Sequence, residues 1–174
     1  AAAGAAAEMA TRVTAARPGI AHRGFLVEPM VRRGRGMELI LGVHRDAVFG
    51  PVILFGSGGV AVEITRDTAI GLPPLDTTLA AGLIGRTRAG RLMAGYRGEA
   101  PVDSGAVQGA LIALSHMIED FPCLRSLDIN PLVALPEGVL ALDASIEIDP
   151  AEVGRTGPNR YMAIRPYPAA WVRE

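Results

Sequence analysis

The sequence predicts an α+β fold, a mostly antiparallel sheet flanked by helices. Three observations predict it. Apolar, partly alternating stretches follow one another in "GFLVEPMV", "GMELILGVHRD" and "GPVILFGSGGVAVEI", punctuated by Gly, Pro and charged residues. Such alternation marks half-buried strands, and connections this short join antiparallel neighbours. "APVDSGAVQGALIALSHMIEDFP" then changes to helical spacing, and "LRSLDINPLVAL", the turn "PEG" and "VLALDASIEI" return to strand character with a tight connection.

Taken in order, the opening "AAAGAAAEMATRVTAARPGI" is helix-forming composition stopped by Pro18 and Gly19. It reads as the tail of an element that starts earlier. The three strand segments follow, the second and third joined by a hairpin connection at "HRDAVFGP". After "GLPPLD", Asp76 is placed to cap a helix from Thr77 to about Arg88. In the next helix Val107, Ala110, Leu111, Leu114, Ile118 and Phe121 fall on one face, Asp103 or Ser104 caps the start and Pro122 ends it. That face is expected against a sheet. From Asp149 to Glu174 there is no sustained periodicity, so this stretch reads as a linker or an edge segment.

Composition narrows the function. The chain has 174 residues, 49% of them hydrophobic and 20% charged, which is enough for one domain with a substantial core. A net charge of −1 gives no electrostatic pull toward nucleic acid or an anionic membrane surface. No apolar run has the roughly 18–20 residues that span a bilayer, and Cys123 is the single cysteine, so the expected setting is a reducing cytoplasm. All 17 basic residues are Arg; there is no Lys.

The polar residues of "LDINPLVALPEGVLALD" raise the question of chemistry. In a hairpin turned at "PEG", Asn130 and Asp143 lie on opposite strands near its open end and can approach each other. A carboxylate and a carboxamide oxygen suit a hard cation such as Mg²⁺, which takes oxygen ligands and leaves the rest of its octahedron to phosphates and water. Spacing alone favours the plainer reading, in which Asp128 and Asn130 end a strand before Pro131 and Asp143 is a cap. "FGSGGVAVE" is likewise open between a glycine bulge in a strand and a turn whose N–H groups meet phosphate; it is not a P-loop, since the Lys of that motif is missing. His22, His44 (in a charged turn), His116 and Cys123 sit in no suggestive constellation and are read as surface or structural. The arginines of "VRRGRG" form a local basic loop.

"LDINPLVALPEGVLALD" resembles the metal-binding hairpin of the ATP-grasp domain in NDP-forming acyl-CoA synthetases and succinyl-CoA synthetase beta subunits. "GFLVEPMV", "MELILGVHRDAVFGPVILFGSGGVAVEI" and "DTAIGLPPLD" resemble successive segments of the same domain, so the similarity runs over roughly residues 8–148. The resemblance implies the C-terminal subdomain of an ATP-grasp fold. It implies that Asn130 and Asp143 hold Mg²⁺ and that Asp128 faces the phosphorylated histidine of a partner domain. It further implies that Glu28, Val31 and Glu38 contact the nucleotide, ATP or another NTP or NDP, and that Ser57, Gly58 and Gly59 lie near the reacting phosphates.

The same resemblance implies a domain division. Residues 1–148 are a partial ATP-grasp domain whose lysine-bearing N-terminal part, together with the CoA-binding and phosphohistidine domains, lies elsewhere; residues 149–174 are a linker or C-terminal extension. "RYMAIRPYPAAWVRE" resembles the join to a GNAT acetyltransferase domain in fused protein-lysine acetyltransferases. Two functions are therefore expected to compete: part of a working acyl-CoA synthetase, or a non-catalytic regulatory module of a GNAT fusion.

Overall fold

The computed structural model describes residues 2–21, 24–27, 30, 36–59, 66–96, 98, 100–155 and 159–164. It divides into two compact units, residues 1–32 and 33–174. In the first, α1 (Ala2–Ala16) ends just before Pro18 as its composition predicts, and none of its residues is buried. Of "GFLVEPMV", expected as a strand, the described residues 24–27 and Met30 carry no regular structure. Leu26, Val27 and Met30 are 85%, 80% and 89% exposed. Alternation describes a strand only when a neighbour accepts its hydrogen bonds, and these side chains are not packed on one.

The second unit is built on a six-stranded antiparallel sheet. Its strands are β1 (Met37–Asp46), β2 (Gly50–Ser57), β3 (Thr68–Gly71), β4 (Leu124–Leu135), β5 (Gly138–Ala141) and β6 (Ala144–Ile148). The order is β3-β2-β1-β4-β5, with β6 also on β4. Leu39, Leu41 and Val43 of β1 point to the same side as Ile53 and Phe55 of β2 and Leu127 and Leu132 of β4. That side is the core. The β1–β2 turn holds because the Asp46 carboxylate accepts the Val48 and Phe49 N–H groups at 2.8 and 2.9 Å. His44, expected in that turn, belongs to β1 instead and is exposed on the opposite face.

Three helices cover the core side: α2 (Thr77–Gly85), α3 (Arg88–Leu92) and α4 (Ser104–Asp120). Asp76 caps α2 through the Leu79 N–H at 2.7 Å, as expected, but the helix stops short of Arg88. Thr87 breaks it: its hydroxyl donates to the Ile84 carbonyl and accepts from the Gly90 N–H, both at 2.9 Å, starting a second helix. Asp103 caps α4, whose Val107, Leu111, Leu114 and Ile118 are buried against the sheet. Phe121 is the exception, 54% exposed, because the chain leaves the helix there.

The described part of residues 149–174 packs back on the domain rather than running free. Met162 joins the core and the Asn159 side chain donates to the Ile118 carbonyl at 2.7 Å. Buried Glu152 pairs with Arg155 and Arg160, and Arg45 stacks on Tyr161 at 3.9 Å from the ring centre. Met162 and Asn159 lie far in sequence from the strands and helix they meet, so periodicity could not show these contacts. No helix among the described residues is long and apolar enough to cross a membrane.

Candidate functional site

The sheet face away from the helices carries the polar residues singled out above. Glu38, Gly42 and His44 alternate onto it from β1, and Asp128 faces Gly42 across the β1–β4 ladder. A depression of about 470 Å³ lies here, floored by Ile40, Val52 and Leu54 and edged by His44, Ile70 and Asp128. Asp128 is exposed.

The β1–β4 pairing contains a bulge. Leu41 pairs with Ile129 but Leu39 pairs with Leu132, so Asn130 and Pro131 together oppose Ile40 alone. Proline has no N–H to give a ladder, and a bulge is one of the places a sheet tolerates it. The bulge also divides the facing strand: β5 pairs with β4 after it and β6 with β4 before it. Asn130 and Asp143 meet at this break, the Asn130 N–H donating to the Asp143 carbonyl at 3.3 Å and the Leu142 N–H to the Pro131 carbonyl at 3.1 Å. They oppose each other as the hairpin requires, yet at mid-ribbon instead of at its open end, because β6 extends the pairing to Leu124–Ile148.

The glycine turn leaves β2 after Ser57 and comes to the same place. Gly58 N–H donates to the Glu38 carbonyl at 2.8 Å. Gly59 N–H donates to the Asn130 side-chain oxygen at 3.1 Å, a contact across 71 residues. With φ of 75°, Gly59 holds a conformation that L side chains rarely adopt, and a Cβ there would press on the Glu38 carboxylate. A Cβ on Gly58 would meet the Leu39 backbone. These glycines therefore turn the chain out of the sheet at the end of β2.

The structure thus brings Glu38, Ser57, Gly58, Gly59, Asn130 and Asp143 together, with Asp128 on the adjoining face. Glu28 and Val31, along with His22 and the "VRRGRG" arginines, lie outside the described residues. Among the described residues no group of three or more His, Cys, Asp or Glu could enclose a metal ion. The Asn130 carboxamide nevertheless offers a hard oxygen, and Asp143 is an exposed carboxylate beside it. A pair of this kind fits an ion that takes its remaining ligands from phosphates and water. Sequence reasoning missed Asp67, whose carbonyl accepts the Ser57 N–H at 3.0 Å and whose carboxylate caps α3. Its helix partners are 21 and 22 residues away, so no local motif marks it.

A bulged hairpin, a glycine turn folded onto it and an antiparallel sheet backed by helices agree with an ATP-grasp domain. The match to that family covers residues 1–148, and the chain belongs to it. Its relatives include ADP-forming acetate–CoA ligase I of Archaeoglobus fulgidus, 35% identical over 136 residues, which are 78% of this chain and 20% of that protein. The beta subunit of ADP-forming acetate–CoA ligase I of Pyrococcus furiosus is 34% identical over 121 residues, 70% of this chain and 51% of that one. The chain therefore spans about half the length of this beta subunit and a fifth of the longer ligase.

Solved structures agree. A dinucleotide forming acetyl-coenzyme A synthetase 1 of Ca. Korarchaeum cryptofilum, in complex with coenzyme A, acetyl-coenzyme A and a phosphorylated phosphohistidine segment, superposes with a TM-score of 0.71 at 34% identity, covering 84% of this chain and 64% of that one. The same synthetase in complex with coenzyme A and Mg-AMPPCP, its phosphohistidine segment pointing towards the nucleotide binding site, gives 0.62 at 39% identity over 66% of this chain and 54% of that one.

Proposed function

We propose that this chain is the nucleotide- and magnesium-binding part of an NDP-forming acyl-CoA synthetase, which joins a carboxylate to CoA while cleaving ATP to ADP and phosphate through a phosphohistidine. The observation that carries the reading is the Gly59 N–H bond to the Asn130 side chain. It fastens a turn of phosphate-binding composition to the hairpin that offers the metal ligands. Family membership and the nucleotide complexes of the structural relatives support it.

In this reading Asn130 and Asp143 hold Mg²⁺, which when bound neutralises phosphate charge. Ser57, Gly58 and Gly59 lie near the phosphates. Glu38, its carboxylate beside Gly59, orients the nucleotide, and Glu28 and Val31 serve its adenine and ribose end. Asp128, exposed on the open face, orients a histidine presented by a CoA-binding domain of the same or a partner chain. Phosphoryl transfer needs cationic help, which a chain without lysine supplies through arginine or a metal.

The resemblance of "RYMAIRPYPAAWVRE" to the join before a GNAT domain favours a second reading, a non-catalytic regulatory module of a GNAT acetyltransferase fusion. Calorimetric titration with Mg·ATP tests the site itself. The first reading expects binding that Asp143→Ala weakens at least tenfold; equal affinity in both proteins refutes the ligand assignment. ATP-dependent phosphorylation of a histidine on an added CoA-binding partner separates the readings, since only the synthetase supports it.

A further inference from the structure

The start of the glycine turn is held by Glu38 and Asn130. Beside it stands Asp67, the residue before β3, whose carbonyl accepts the Ser57 N–H at the end of the β2–β3 pairing. The Asp67 carboxylate is bonded separately: one oxygen accepts the Arg88 N–H and the other the Ala89 N–H, each at 2.8 Å.

A helix start normally needs one capping side chain, and α3 has one in Thr87, which accepts the Gly90 N–H. Asp67 adds acceptors for the two N–H groups Thr87 leaves, and reaches them from another element. Its backbone is placed by these bonds. Arg66, just before it, has φ of 45°, so the chain enters Asp67 from a left-handed residue. Gly56, which precedes Ser57, has no room for a side chain because the Asp67 carbonyl and Thr68 lie against it. The end of β2 is therefore in close contact with a residue that α3 holds in place.

We infer that Asp67 is a positioning residue for the glycine turn: its carboxylate is anchored to α3, its carbonyl holds the Ser57 N–H, and through Ser57 this fixes where the Gly58 and Gly59 N–H groups stand. The consequence for nucleotide rests on the reading that places Gly58 and Gly59 near the phosphates, whereas the anchoring does not.

Amide hydrogen exchange at Gly58 and Gly59, followed by NMR on the full chain, tests the anchoring without any ligand. Asp67→Ala is expected to speed both at least tenfold, and Asp67→Asn, which keeps one oxygen acceptor, to speed them less. Thr87→Ala, which removes the helix's own cap, is expected to leave them near the unaltered rate. Equal exchange in Asp67→Ala and the unaltered chain, or equal acceleration by Thr87→Ala and Asp67→Ala, overturns the inference. In parallel, Asp67→Ala is expected to raise the Kd for Mg·ADP at least fivefold with Asp67→Asn restoring part of it. If the unaltered chain binds no Mg·ADP the nucleotide reading falls, and the exchange comparison still decides the role of Asp67.

Discussion

Replacing Gly59 by alanine separates the cost to the fold from the cost to the site. At φ of 75° an L residue is strained, by about 1–2 kcal/mol. The added Cβ presses on the Glu38 carboxylate, the far end of a long side chain and not backbone. Stability should therefore fall by about 1–2 kcal/mol, which in a chain of this size lowers Tm by roughly 2–8 °C. The Asn130 bond to the Gly59 N–H can persist, but Glu38 cannot stay where it is. Mg·ATP affinity should then drop about tenfold or more, each factor of ten being about 1.4 kcal/mol. Thermal unfolding by circular dichroism and calorimetric titration read the two effects. Gly58→Ala is the internal comparison, since its Cβ meets the Leu39 backbone in the central strand and should lower Tm further. An unchanged Tm and affinity in Gly59→Ala, or a larger Tm loss in Gly59→Ala than in Gly58→Ala, would refute the reasoning.

Other variants probe the frame around the site. Gly109 lies exposed inside α4 with nothing within 4 Å of where a Cβ would stand, so Gly109→Ala should raise stability by about 0.5–1 kcal/mol in denaturant titration. Leu111 is wholly buried in the core, and Leu111→Ala should cost about 2–5 kcal/mol by the same assay. The Phe49 and Val48 N–H groups hold the Asp46 carboxyl below its usual value. A depressed folded pKa gives stability that is present above the unfolded value, near 4, and lost as pH falls through the folded one. Tm of the unaltered chain should thus exceed that of Asp46→Ala at pH 7, with the gap closing as the carboxyl protonates in acid; a gap independent of pH would argue against the turn assignment.

Much of this was legible in the sequence where the determinant is local. Asp76 and Asp103 announce helix starts because a cap needs only an oxygen at the right residue. Leu39, Leu41 and Val43 announce a core-facing strand by alternation. Asn130, Asp143 and Asp128 could be placed on one hairpin from the turn at "PEG". Where the determinant is a distant partner, local pattern failed. The described residues of "GFLVEPMV" alternate without forming a strand, Thr87 divides a helix by bonding to Ile84 and Gly90 in place of continuing it, and the described part of the segment from Asp149 is held by Ile118, Cys123 and Arg45. The glycine turn was ambiguous for the same reason. Its meaning depends on Asn130, 71 residues away.

The bulge at Asn130 and Pro131 also acts as a proofreading mark for the sheet. In a ladder of period two, slipping β4 by one residue would turn Leu127 outward and Asp128 into the apolar core, and the pairing with β1, β5 and β6 would all change together. A misregistered β4 would bury a carboxylate and would also lose the Gly59 contact. Correct chemistry and correct folding are therefore selected by the same alignment, and a chain that assembles this sheet at all has already aligned its site.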